Sequence, residues 1–210
     1  MASADAVAQA LAMVHPPQVG KATYQDVLDA PEHMVAELID GELHLFPRPA
    51  QPHAIAGSVI GMVIGSAFHL GSTGPGGWWI EDEPELHLGP HVLVPDVAGW
   101  IRAEVDLDLS AAYVETPPAW ICEVLSPSTH RVDRMKKLPR YAEFGVRFAW
   151  LVDPVDGTLE VFALERDRWV LQATHEGADP VRVAPFAEVE LPLAEVWPLA
   201  ARRGEAERRG

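Results

Sequence analysis

Polar and apolar residues alternate in two short runs, Glu37-Leu38-Ile39 and Glu42-Leu43-His44-Leu45, on either side of Asp40-Gly41. Both central positions of a type I′ turn need positive φ, which Asp-Gly tolerates, so the pattern predicts a β-hairpin entered from Val35. Ahead of it, Tyr24 to Asp29 predicts a short helix that stops before Pro31. Pro47, Pro49 and Pro52 close the hairpin. From about His53 to Leu70 the apolar residues Ile55, Val59, Met62, Val63 and Phe68 recur near helical spacing, which predicts a buried helix despite its glycines.

Gly71 to Gly77 predicts a loop; it is glycine-rich but lacks the Gly-Lys-Ser/Thr ending of a phosphate-binding loop. Strands are expected at Trp78 to Ile80, Glu85 to Leu88, Val92 to Val94 and Val97 to Ile101. A buried central strand is expected at Ala119 to Leu125, bracketed by prolines. Ser128 and Thr129 are natural N-caps for a helix reaching about Phe144, with Gly145 as its stop. Phe148 to Val152 is a further apolar strand, and a hairpin pairs Leu159 to Leu164 with Arg168 to Ala173. The order of elements is that of a mixed α/β sheet with helices packed on it, and no internal repeat is visible. One domain over residues 22–200 is expected, with an N-terminal arm over 1–21 and a disordered tail over 201–210, which lacks an apolar anchor.

Composition narrows the function. With 48% hydrophobic and 22% charged residues over 210 positions, the chain is long and apolar enough to bury its own core. Sixteen Lys+Arg against 31 Asp+Glu leave a net charge of −15, a field that repels polyanions. Any contact with DNA must therefore be local or metal-assisted. A lone cysteine, Cys122, excludes an internal disulfide and fits a reducing compartment. The N-terminus lacks a basic n-region, and Ala54 to Leu70 is interrupted by glycines, serines and His69, so neither a signal peptide nor a membrane span is expected and a cytoplasmic location is.

Three places carry candidate chemistry. Asp96 follows Pro95 at a strand start, where its carboxylate can project from the sheet edge. Glu123 lies inside the apolar strand AWICEVL, where a carboxylate costs several kcal/mol unless it is paired, protonated or metal-bound. Asp133 and Lys137 share one face of the next helix, either as a surface ion pair or as part of a site. Cys122 points away from Glu123 and is expected to be a small buried apolar residue. The histidines show no metal-ligand spacing; His53, at the start of the predicted buried helix, is expected to cap it or face solvent. Tyr141 and Trp150 are expected in the core, each with one partner for its polar atom.

Pro95-Asp96, Glu123-Val124-Leu125-Ser126-Pro127-Ser128-Thr129, Asp133, Lys137, Tyr141, Gly145-Val146 and Trp150-Leu151-Val152-Asp153-Pro154, in this order and spacing, resemble the Uma2 family of the PD-(D/E)XK nuclease-like superfamily. The resemblance runs over about residues 22–175 and takes in Glu37, Asp40-Gly41-Glu42 and His53. It implies a restriction endonuclease-like core, a central mixed β-sheet flanked by helices, with Asp96 and Glu123 as metal-binding acids and the main-chain carbonyl of Val124 as a further ligand. The implied cofactor is Mg²⁺ or Mn²⁺ and the implied substrate DNA, cleaved at a phosphodiester bond.

One position departs from the superfamily pattern. The lysine expected two residues after the acid is Leu125 here. In sequences of the Uma2 kind a lysine on the following helix looks like its substitute, and Lys137 matches that place, with Lys136 as the fallback. Glu37 would be a further acid near the metal and His53 a secondary member with no defined role. Leu125 and the net charge leave open a catalytically silent module that binds nucleic acid or a protein, and a purely structural ion network. The apolar hairpins and aromatics suggest a homodimer.

Overall fold

A computed structural model describes residues 22–209; the arm expected over 1–21 lies outside the described residues. Helix α1 (Tyr24–Leu28) leads into the predicted hairpin, β1 (Met34–Ile39) and β2 (Glu42–Pro47), whose turn residues Asp40 and Gly41 have φ of 55° and 76°. Helix α2 (Gln51–Ile64), with a proline in its first turn, runs on through a π-helical turn (Gly65–His69). Strands β3 (Trp78–Asp82), β4 (Leu86–Leu88), β5 (His91–Leu93), β6 (Val97–Ile101) and β7 (Trp120–Val124) follow. Residues 130–143 form helix α3, and β8 (Phe148–Asp153), β9 (Thr158–Glu165), β10 (Arg168–Glu176), α4 (Leu193–Val196) and α5 (Pro198–Arg209) complete the chain.

The strands form two sheets. The larger has the order β10-β9-β8-β7-β6-β3 and is antiparallel except for the parallel pair β7–β8, whose crossover is α3. The smaller has the order β2-β1-β5-β4, so the hairpin is not an appendage: β5 pairs with β1 and extends it into a second sheet.

Side chains of β7 alternate between two cores because strand residues alternate faces. Trp120, Cys122 and Val124 join Ile60, Trp150, Phe186 and Trp197 on the side of α2 and α4. Ile121 and Leu125 join Ile39, Leu138, Tyr141 and Leu151 on the side of α3 and the small sheet. Glu123 has the parity of the second set, so the strand aims its carboxylate at α3.

Two expectations change. Helix α3 is not regular: Leu138 N–H bonds back to the Asp133 carbonyl across a π-helical turn, Asp133–Lys137. Pro139 explains it, since proline inside an α-helix offers no N–H and its ring clashes with the carbonyl four residues back, and the wider turn relieves both. The tail from residue 201, expected to be disordered, instead continues α5, because Ala201 packs into the core beside Val196 and Trp197. No helix among the described residues is long and apolar enough to cross a membrane.

Candidate active site

The register of the large sheet brings the two strand acids together. Val97 pairs with Cys122 in the antiparallel β6–β7 ladder, so one step further along Asp96 stands opposite Glu123. Directly opposed residues carry Cβ atoms about 4.5–5.5 Å apart. The Asp96 carbonyl accepts the Glu83 N–H at 3.1 Å from the β3 side, and toward β7 its side chain takes over: Oδ2 accepts the Val124 N–H at 2.7 Å, and Oδ1 lies 2.6 Å from His53 Nε2. His53 stands in the first turn of α2 and does not cap it, contrary to expectation. Its Nδ1 is buried without a partner.

Opposite these acids α3 delivers Lys137. Its ammonium donates to Glu123 Oε2 at 3.0 Å and to the Val94 carbonyl at 3.1 Å, and lies 2.9 Å from Glu123 Oε1, 2.9 Å from Glu37 Oε1 and 3.7 Å from Asp133 Oδ1. Tyr141, one turn on, donates its hydroxyl to Glu123 Oε1 at 2.7 Å. Glu37, from the middle of β1, also accepts the Val94 N–H at 2.6 Å, which ties the small sheet to the site. Lys136, by contrast, faces away and pairs with Glu42. Glu37, Glu123, Asp133 and Lys137 are all at most 3% exposed, so Asp133 and Lys137 are not a surface pair. Positions four apart share a helix face, and α3 lays that face against Glu37 and Glu123.

Burial and charge oppose one another here. Burial alone would lower the Lys137 pKa, but Glu123, Glu37, Tyr141 and Asp133 raise it well above the ordinary value, so the ammonium stays charged. Burial pushes the Glu123 carboxyl up, opposed by Lys137. Asp133 is pushed up to about 6, first by burial, then against the attraction of Lys137 and with the repulsion of Glu37. An acid whose folded pKa lies above its unfolded value destabilises the fold once ionised, and stability is lost as pH rises through about 6. Asp133→Asn is therefore expected to be more stable than the parent by up to about 3 kcal/mol near pH 8, the gain fading toward about pH 4. Urea unfolding at the two pH values checks it; a gain that does not change with pH would contradict the assignment.

The acids open onto a cavity of about 540 Å³ whose lining includes Glu37, His53, Asp96, Glu123, Asp133 and Lys137. Its outer walls come from β1 and β2, the β2–α2 connection and the Ser126-Pro127-Ser128-Thr129 loop ahead of α3. Glu37, His53, Asp96, Glu123 and Lys137, the side chains expected from the sequence, thus surround one space.

The model of the Uma2 family, described as "Putative restriction endonuclease", matches residues 22–194. The chain belongs to the Uma2 family. A solved structure of similar fold is that of "a putative nuclease belonging to DUF820" from Anabaena variabilis ATCC 29413. The two share 24% identity at a TM-score of 0.67, over 84% of this chain and 98% of that one. No curated protein matches.

Does this Uma2 site fit a divalent cation? Among the described residues no three His, Cys, Asp or Glu side chains form a group able to hold a metal. A hard cation that keeps several waters needs only one or two carboxylates, however, and Asp96 and Glu123 supply them. An ionised carboxylate has about four lone-pair sites. The bonds already made fill Glu123 Oε1 but leave capacity on Glu123 Oε2 and on both Asp96 oxygens. The Val124 carbonyl lies on the same strand edge as its N–H, which is directed at Asp96, and so faces the acids as well. The donor set fits.

One member of this Uma2 site is not marked by its sequence pattern. Tyr141 was expected only to pack, and its OH was free to find any partner; that the partner is Glu123 depends on α3 crossing over β7.

Proposed function

We propose that this chain is a metal-dependent endonuclease that hydrolyses phosphodiester bonds in DNA, with Asp96 and Glu123 as catalytic acids and Lys137 as the relocated lysine of a PD-(D/E)XK-like site. The observation that carries it is the Lys137 ammonium, which comes from α3 to within 3.0 Å of Glu123 although Leu125 occupies the strand position where that lysine is expected. The family's description supports a nuclease.

Asp96, Glu123 and the Val124 carbonyl would hold Mg²⁺ or Mn²⁺, which when bound lowers the pKa of a coordinated water and offsets charge developing on the phosphate. The protein's own groups do the rest. Lys137 is enclosed by carboxylates that keep it protonated, so it works as a fixed positive charge that holds Glu123 in place and offsets negative charge building on the phosphate. Tyr141 and Lys137 hold the Glu123 carboxylate in one orientation, Glu37 shares the ammonium and anchors it to β5's exit through Val94 N–H, and His53 fixes Asp96. The floor of the cavity is otherwise anionic, which explains how a chain of charge −15 could act on a polyanion only once a cation is present.

The test is cleavage of supercoiled plasmid with Mg²⁺ or Mn²⁺, with and without chelator. Nicking that disappears on chelation and in Glu123→Gln is expected. Nicking that survives both would exclude this site as its source.

A further inference from the structure

The carboxylates lie at the floor of a pocket, and the chemistry of its walls bears on what enters. On the hairpin, Val35 and Phe46 are directly opposed in register and share a face with Glu37 and His44. Val35 and Phe46 line the cavity together with Pro47, Pro49 and Pro127, an apolar group on its more exposed side, whereas Glu37, Glu123 and Asp133 are buried. Phe46 is half-buried, and its ring lies parallel to that of His44, 8° between planes.

Charge points the same way. Glu37, Glu83, Asp96, Glu123 and Asp133 line the cavity against two long-chain cations, Lys137 and Arg48. Lys137 is spent on carboxylates, whereas Arg48 is exposed. A DNA duplex carries a charge about every 1.7 Å of its axis and is held through many Lys and Arg contacts. This opening offers one. A volume of about 540 Å³ lies within the roughly 300–1,000 Å³ of small-ligand pockets, the scale of a nucleotide rather than of a duplex groove. An apolar, aromatic wall beside a phosphate-cleaving site suits a base that has left its stack, which a single strand presents without the cost of unpairing.

Resting on the endonuclease reading above, we propose that the site takes an unpaired nucleotide of single-stranded DNA, its base against the Val35–Phe46 wall and a neighbouring phosphate at Arg48. Base–aromatic stacking then supplies the affinity that charge cannot.

The experiment measures binding of a fluorescent 12-mer single strand and of its duplex by anisotropy, with Ca²⁺ in place of Mn²⁺ so that the strand stays intact. Cleavage of the same DNAs is then followed with Mn²⁺. The single strand is expected to bind at least about tenfold more tightly than the duplex. Phe46→Ala should weaken single-strand binding roughly 5- to 150-fold, with Phe46→Trp restoring it. Arg48→Ala should reduce the salt slope by about 0.7, one phosphate on a single strand. Duplex bound as tightly as single strand, with both Phe46 variants like the parent, overturns the inference; if that duplex is cut, the endonuclease reading stands alone. Phe46-dependent single-strand binding without any cleavage does the reverse.

Discussion

Lys137→Ala is expected to remove about 3–5 kcal/mol of unfolding free energy near neutral pH and to abolish cleavage. The lysine is 3% exposed and stands among Glu37, Glu123 and Asp133, so alanine leaves three buried carboxylates with no counter-charge. They must then take up protons, and the loss should shrink as the pH is lowered toward 5, where protonation costs less. Adding Glu123→Gln to Lys137→Ala should recover part of the stability, because removing both ends of a buried pair costs less than stranding one. Guanidinium unfolding of the single and double variants checks this. A Lys137→Ala protein as stable as the parent at both pH values would mean that the carboxylates are not jointly ionised around it.

Asp96→Asn should behave in the opposite manner, lowering cleavage by at least about a hundredfold while changing stability by less than about 1 kcal/mol. Its side chain is 18% exposed, and asparagine can still accept the Val124 N–H, so the backbone bond that orients the residue survives. What is lost is the charge that meets His53 and would meet a cation. Plasmid nicking with melting curves on the same samples separates the two effects. Loss of fold together with activity would make Asp96 a structural residue.

Much of this arrangement was legible in the sequence, for identifiable reasons. Glu123 stood out because a carboxylate between Cys122 and Val124 in an apolar strand has no inexpensive place to go, and it lies buried against Lys137. The Asp-Gly turn declared its hairpin through the positive φ that both residues adopt. What stayed hidden depends on contacts distant in sequence. The pairing of Asp96 with Glu123 needs the β6–β7 register, which no local pattern encodes, and the second sheet needs β5 to find β1. Asp133 and Lys137, four apart, read equally as a solvent-facing pair, and what buries both is the packing of α3 against Glu37 and Glu123, a contact distant in sequence. The helix over the last residues was missed because its anchor, from Val196 to Ala201, lies mostly ahead of the polar segment that looked disordered.

If Asp96 and Glu123 jointly hold a divalent cation, calorimetric titration of Mn²⁺ into the parent, Asp96→Asn and Glu123→Gln proteins will reveal it. One saturable site in the parent, lost in both variants while each remains folded, is the predicted result. Equal Mn²⁺ binding in all three proteins would contradict it.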